Sequence, residues 1–120
     1  MPIAKEELLS DEKKKEFDDK HGEDRWAIIS KANRKNPDLL DFQFAFRAPT
    51  TAEFQLFKSR AVDKSTQVKA SEMLVKQTLL HPTREKFDEY LEKWPGIPES
   101  DGVQKAIREL TGMVGDEVEK

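Results

Sequence analysis

The stretch "LLDFQFAFRA", residues 39–48, alternates along its length: Phe42, Phe44 and Phe46 fall on one side of an extended chain, and Asp41, Gln43, Ala45 and Arg47 on the other. Successive side chains of a strand point to opposite faces, so a period of two reads as a strand with one buried aromatic face and one wet face. Upstream, "RWAIIS" is a second strand-like piece, joined to the first by the turn-rich "KANRKNPD". A lone two-stranded hairpin is marginal in water, so the phenylalanine face must lie against helices. At about 2 kcal/mol for each buried Phe, that face supplies much of a small domain's stability.

The helices are punctuated in the sequence downstream. Pro49 ends the strand, and Thr50 with Glu53 three residues later has the spacing of a capping box; Phe54, Phe57 and Ala61 then recur along one face. A break at "DKST" lets Ser65 or Thr66 cap a central helix reaching to about Leu80, with apolar residues on more than one stripe. In "LLHPTREKFDEYLEKWPGIPES", residues 79–100, His81-Pro82 stops that helix because a residue before proline avoids the helical region, and Thr83 caps the next. Phe87, Tyr90, Leu91 and Trp94 follow at i, i+3, i+4 and i+7, and Pro95-Gly96 closes the turn. Val103, Ala106, Ile107 and Leu110 form a last stripe before Gly112.

Ahead of the hairpin, residues 4–20 are rich in helix formers, and only Leu8, Leu9 and Phe17 can dock them. The expected fold class is α+β, mainly α: an N-terminal helical arm over residues 1–23, then one globular domain over 24–115. That domain holds a β-hairpin at 24–48 and a bundle of about four short helices at 50–112. The close "GDEVEK" reads as a frayed tail, counted from residue 116.

A chain of 120 residues can bury one modest core, and 38% charged against 36% apolar residues describes a folded, highly charged surface. No apolar run approaches the ~20 residues that span a bilayer, and the N-terminal residues lack a signal-peptide core; the expectation is a cytoplasmic protein without membrane contact. The absence of cysteine excludes disulfides, thiolate metal sites and a Cys nucleophile. Charge is unevenly spread: residues 25–76 carry ten basic residues against five acids, while residues 1–24 and 77–120 are both acidic. Attraction between these segments as the chain collapses explains this pattern, and a basic patch facing a partner is the alternative.

Nothing nominates an active site. His21, read as a loop residue, and His81, read at a helix stop, have no metal-ligand spacing around them. Asp18-Asp19 and the Asp88/Glu92 pair arise easily by composition and read as solvated helix face. The serines lack a nucleophile elbow, and the glycines form no phosphate loop. Neither catalytic residues, cofactor nor metal are expected. The central helix and the one after it, joined by a tight turn, suggest helix-turn-helix DNA binding, but the second would present Asp88, Glu89 and Glu92 to phosphate; nucleic acid is not the expected partner.

Taken together, "FAFRAPTTAEFQLF", "KASEMLVKQTLLHPTREKFDEYLEKWPGI" and "AIRELTG" resemble the phage tail assembly chaperones in order and spacing. The similar elements are an Arg-x-Pro-Thr helix start, a hydrophobic helix ending before proline, an aromatic helix ending in Pro-Gly, and a terminal Leu-x-Gly. They cover residues 42–112, and residues 1–41 lie outside the resemblance. It implies a small non-enzymatic protein of the host-cell cytoplasm that binds and solubilises the tape measure protein during tail tube assembly, and that also touches the tail tube protein. Such a holdase needs apolar surface within a charged body, and it can self-associate when no client is present. Phe54, Phe57, Met73, Tyr90 and Trp94 are the partner-binding candidates, each also at home in a core; Tyr90 and Trp94 suit an edge best. The alternatives are a phage regulatory or anti-host interaction protein and, behind it, a small DNA-binding protein.

Overall fold

The computed structural model describes residue 3, residues 8–62 and residues 67–113, with the side chains of Gln67 and Val68 left aside. Among these residues the chain forms five α-helices and a three-stranded antiparallel sheet, an α+β fold that is mainly α. In order they are α1 (Asp11–His21), β1 (Trp26–Ala32), β2 (Leu40–Arg47), α2 (Thr51–Ala61), α3 (Gln67–Thr78), β3 (Leu79–His81), α4 (Arg84–Lys93) and α5 (Asp101–Thr111). A 3-10 turn, Ile97–Glu99, joins α4 to α5.

Strand β2 is the centre of the sheet, with β1 and β3 on its two sides. The register pairs Ala27 with Phe46, Ile29 with Phe44 and Lys31 with Phe42, so these six residues share one face. Helix α4 lies on that face. Its Phe87 meets Phe44 edge-on at 4.9 Å between ring centroids, while Tyr90 and Trp94 approach Phe42 at 5.7 and 5.3 Å. Phe44, Phe46 and Phe87 are sealed from solvent. Ala70, Leu74 and Val75 of α3 and the Val103, Ala106, Ile107 and Leu110 stripe of α5 complete the same core.

Two expectations need correction. The first is the wet face of β2: Asp41, Gln43 and Ala45 are as buried as the phenylalanines around them. The polar groups there are paired rather than solvated. Gln43 Oε1 accepts from the Leu9 amide at 2.6 Å, and Asp41 accepts from Lys31 Nζ and Asn33 Nδ2. The N-terminal segment lies against this side, with Leu9 buried, the Phe17 ring edge-on to Trp26 at 5.3 Å, and Trp26 Nε1 donating to Asp18. The helix of the arm starts later than expected, at Asp11 behind an Ser10 cap, so Leu8 and Leu9 precede it. Of the expected 4–20 helix, residues 4–7 lie outside the described residues, as do the Ser65 and Thr66 caps and the tail from residue 116.

The second correction concerns the end of the central helix. Helix α3 stops at Thr78, whose buried hydroxyl donates back to the Leu74 and Val75 carbonyls, and Leu79–His81 then pairs with β2 as β3. Apolar periodicity hides this switch, because Leu79 and Leu80 suit a helix end as well as a strand. An exposed flank of β2 would leave backbone donors and acceptors unpaired in the core, and β3 satisfies them. His81 thus sits in a strand, and His21 is the last residue of α1 rather than a loop residue. The same strand replaces the tight turn of the helix-turn-helix reading.

Other helix boundaries are as read: Thr50 and Glu53 exchange both capping-box hydrogen bonds, Thr83 accepts from the Lys86 amide, and Gly112 closes α5 at φ 74°, a backbone region that favours glycine. The Ser100 cap of α5 was not read from the sequence. Glu53 also grips Arg47 through two hydrogen bonds of 2.9 and 3.0 Å, tying the end of β2 to the start of α2. Lys76 of α3 reaches both Glu72 and Asp88, at 3.0 Å each, and so ties α3 to α4.

Phe44→Ala should cost about 3–5 kcal/mol of unfolding free energy, read by urea denaturation, because the cavity would open in a layer sealed from solvent. The Arg47 guanidinium holds the Glu53 carboxyl down to about 2, against an ordinary 4.5. A folded-state value below the unfolded one contributes stability that is complete above pH 4.5 and fades as pH falls toward about 2. The stability gap between wild type and Glu53→Gln should therefore narrow over that window; a constant gap would refute the linkage.

Candidate partner-binding surface

The five residues nominated from sequence fall into different environments. Phe57 and Tyr90 are buried and belong to the core. Phe54 is half-buried, stacks on Phe57 at 6.2 Å and lines a pocket of about 300 Å³ with Arg25 and Thr111. Met73 lies on α3 with 38% of its surface exposed. Trp94 is half-buried at the end of α4. Tyr90 and Trp94 converge on Phe42, whereas Phe54 and Phe57 pair with each other at a separate place.

The position of Trp94 follows from the way α4 ends. Its amide still donates to the Tyr90 carbonyl, but its own backbone leaves the helical region at φ −127° and ψ 77°. Pro95 and Gly96 then carry the chain through a turn, and Ile97, buried, brings it back to the core. The indole is thereby left over Phe42 with one side open. Phe42, Trp94, Pro95 and Ile97 floor a groove of about 340 Å³, at the small end of ligand-sized cavities.

Two lysines border this apolar floor. Lys93 Nζ stands 5.0 Å from the Trp94 ring centroid and Lys31 Nζ 6.0 Å, both within the range of a cation–π contact. Lys31 is also bonded to Asp41 at 2.6 Å. The hydrogen bonds from Lys31 and from Asn33 hold the Asp41 carboxyl below the usual carboxylate range, and Lys93 adds to this from farther away. Among the described residues no ion pair engages Lys93. The groove is therefore apolar in its floor and positive at its rim.

Sequence reasoning found Trp94 but missed Lys31, Lys93, Phe42 and Ile97 as its neighbours. The signal was present in part: Lys93 adjoins Trp94, and the hairpin register places Lys31 opposite Phe42. Joining the two halves needs the docking of α4 on the sheet.

His21 shows a different kind of strain on a polar group. Its Nε2 is buried with no hydrogen-bond partner among the described residues, and burial, then Lys20 and Arg47, lower its pKa from the ordinary histidine value. No group of three or more His, Asp or Glu side chains among the described residues is arranged to hold a metal ion.

Comparison with known families places the chain. It belongs to the family described as a domain of unknown function, DUF6848, which matches residues 17–119. The match takes in the hairpin as well as the helices, and begins inside α1 at the Phe17 that touches Trp26. No curated protein and no solved structure matches the chain. No described helix is long and apolar enough to cross a membrane.

Lys93, being exposed, should tolerate Lys93→Glu with a stability change within about 0.5 kcal/mol. Trp94→Ala should instead cost about 2 kcal/mol through its lost contact with Phe42, less than a fully sealed aromatic. Urea titrations of the two variants beside wild type make the comparison.

Proposed function

We propose that the protein is a non-enzymatic assembly chaperone that binds and solubilises the tape measure protein of a long-tailed phage while the tail tube assembles on it. The reading joins the resemblance over residues 42–112 to one structural observation: the open groove over Phe42 and Trp94, apolar in its floor and bordered by lysines. A holdase needs such a surface to cover the apolar stripe that a long helical client otherwise exposes to water. Helix-in-groove recognition asks for a few apolar anchors in the chaperone and a rim that keeps the empty protein soluble.

In this reading the protein works in the host cytoplasm, with the tail tube protein as a second contact and with neither nucleic acid nor membrane as a partner. The exposed Met73 and the half-buried Phe54 are further apolar surface, outside the Trp94 groove. Self-association of the free protein would cover the same surface between clients.

Co-expression of this chain with a phage tape measure protein should return a soluble complex by affinity capture, while the tape measure protein alone precipitates. The Trp94→Ser variant should recover less of the client at equal chaperone yield. Capture of no tape measure protein by the wild-type chain removes the reading.

A further inference from the structure

The chaperone reading leaves open what distinguishes a suitable client segment from any other apolar helix, and the rim of the Trp94 groove bears on this. An aromatic floor accepts aliphatic side chains of many kinds. The charges beside it discriminate. Lys31 and Lys93 both stand over the same indole, and the nearby carboxylate of Asp41 is already taken up by Lys31 and Asn33. Two cations against one committed anion leave the rim net positive, with Lys93 carrying the charge that no ion pair among the described residues offsets.

Apolar burial sets affinity and the border charges set choice. A basic helix laid on the floor would bring like charges to Lys93, while carboxylates one helical turn from the apolar anchors would meet it. We infer that the Phe42–Trp94–Ile97 groove selects an acidic amphipathic helix, whose leucine-like side chains seat on the floor and whose carboxylates pair with Lys93 and Lys31. This rests on the chaperone reading and narrows it to a partner chemistry. Residues 115–120, "GDEVEK", are acidic too, and the test separates them from a partner helix.

The test uses the full chain and two labelled synthetic helical peptides of about 16 residues, with leucines at i, i+3, i+4 and i+7. Glutamates flank the leucines in one peptide, and lysines replace them in the other. Fluorescence anisotropy at low salt should show the glutamate peptide binding about tenfold more tightly, with the preference shrinking as salt is raised. Lys93→Glu should abolish or reverse the preference, and Trp94→Ala should weaken both peptides. Because Lys93 is exposed, its variant remains informative even if Trp94→Ala fails to fold.

Equal binding of the two peptides, or a preference unmoved by Lys93→Glu, overturns the inference. So does tighter peptide binding by a chain ending at residue 113, since that outcome makes the acidic tail the occupant. Capture of the tape measure protein separates the two levels. A wild-type chain that captures it without discriminating the peptides keeps the chaperone reading and loses the acidic-helix inference; failure of capture with peptide discrimination intact does the reverse.

Discussion

The burial of β2 on both sides is the constraint on which the rest of this structure depends. Phe42, Phe44 and Phe46 face α4, while Gln43 and Ala45 face the other way and are just as inaccessible. A strand enclosed in this manner cannot leave backbone or side-chain polar groups unmatched. The pairing of β1 and β3 on its two flanks, the Leu9 amide on Gln43, and the Lys31 and Asn33 donors on Asp41 are all answers to that demand.

Charged groups act mainly as ties between elements. Arg47 and Glu53 lock the strand-to-helix corner through a two-pronged hydrogen-bonded pair, which a lysine at the same place could not reproduce. Lys76 does the same between α3 and α4. Such partly exposed pairs add modestly to stability, and their larger effect is to fix the angle at which helices meet the sheet. Pro95 and Gly96 end α4, and its seating on the sheet decides what surrounds Trp94. The acidic Asp88, which weighed against DNA binding in the sequence, is one of the groups engaged in this way.

The candidate surface was only partly legible. Trp94 could be singled out because its period continues the Phe87 and Tyr90 stripe up to a Pro-Gly stop, and an indole at a helix end seldom closes over completely. Tyr90 and Phe57 look equally suited on a helical wheel, yet they are buried, because depth within the core depends on which neighbours dock above them. Lys31 and Lys93 are separated by more than half the chain. No periodicity links them, and only the seating of α4 across Phe42 brings both to one ring.

Local chemistry by itself determined the α+β class, the hairpin, and the start or stop of most helices, since caps, prolines and stripes act within a few residues of where they are written. It left undecided the end of α3, the third strand and the second face of β2. Those depend on unpaired backbone along the flank of β2 and on a distant N-terminal segment, and neither can be counted until the chain is folded. The tertiary structure alone decided which apolar residues were sealed and which remained open, because burial belongs to the whole packing arrangement and not to any one residue's neighbours in sequence.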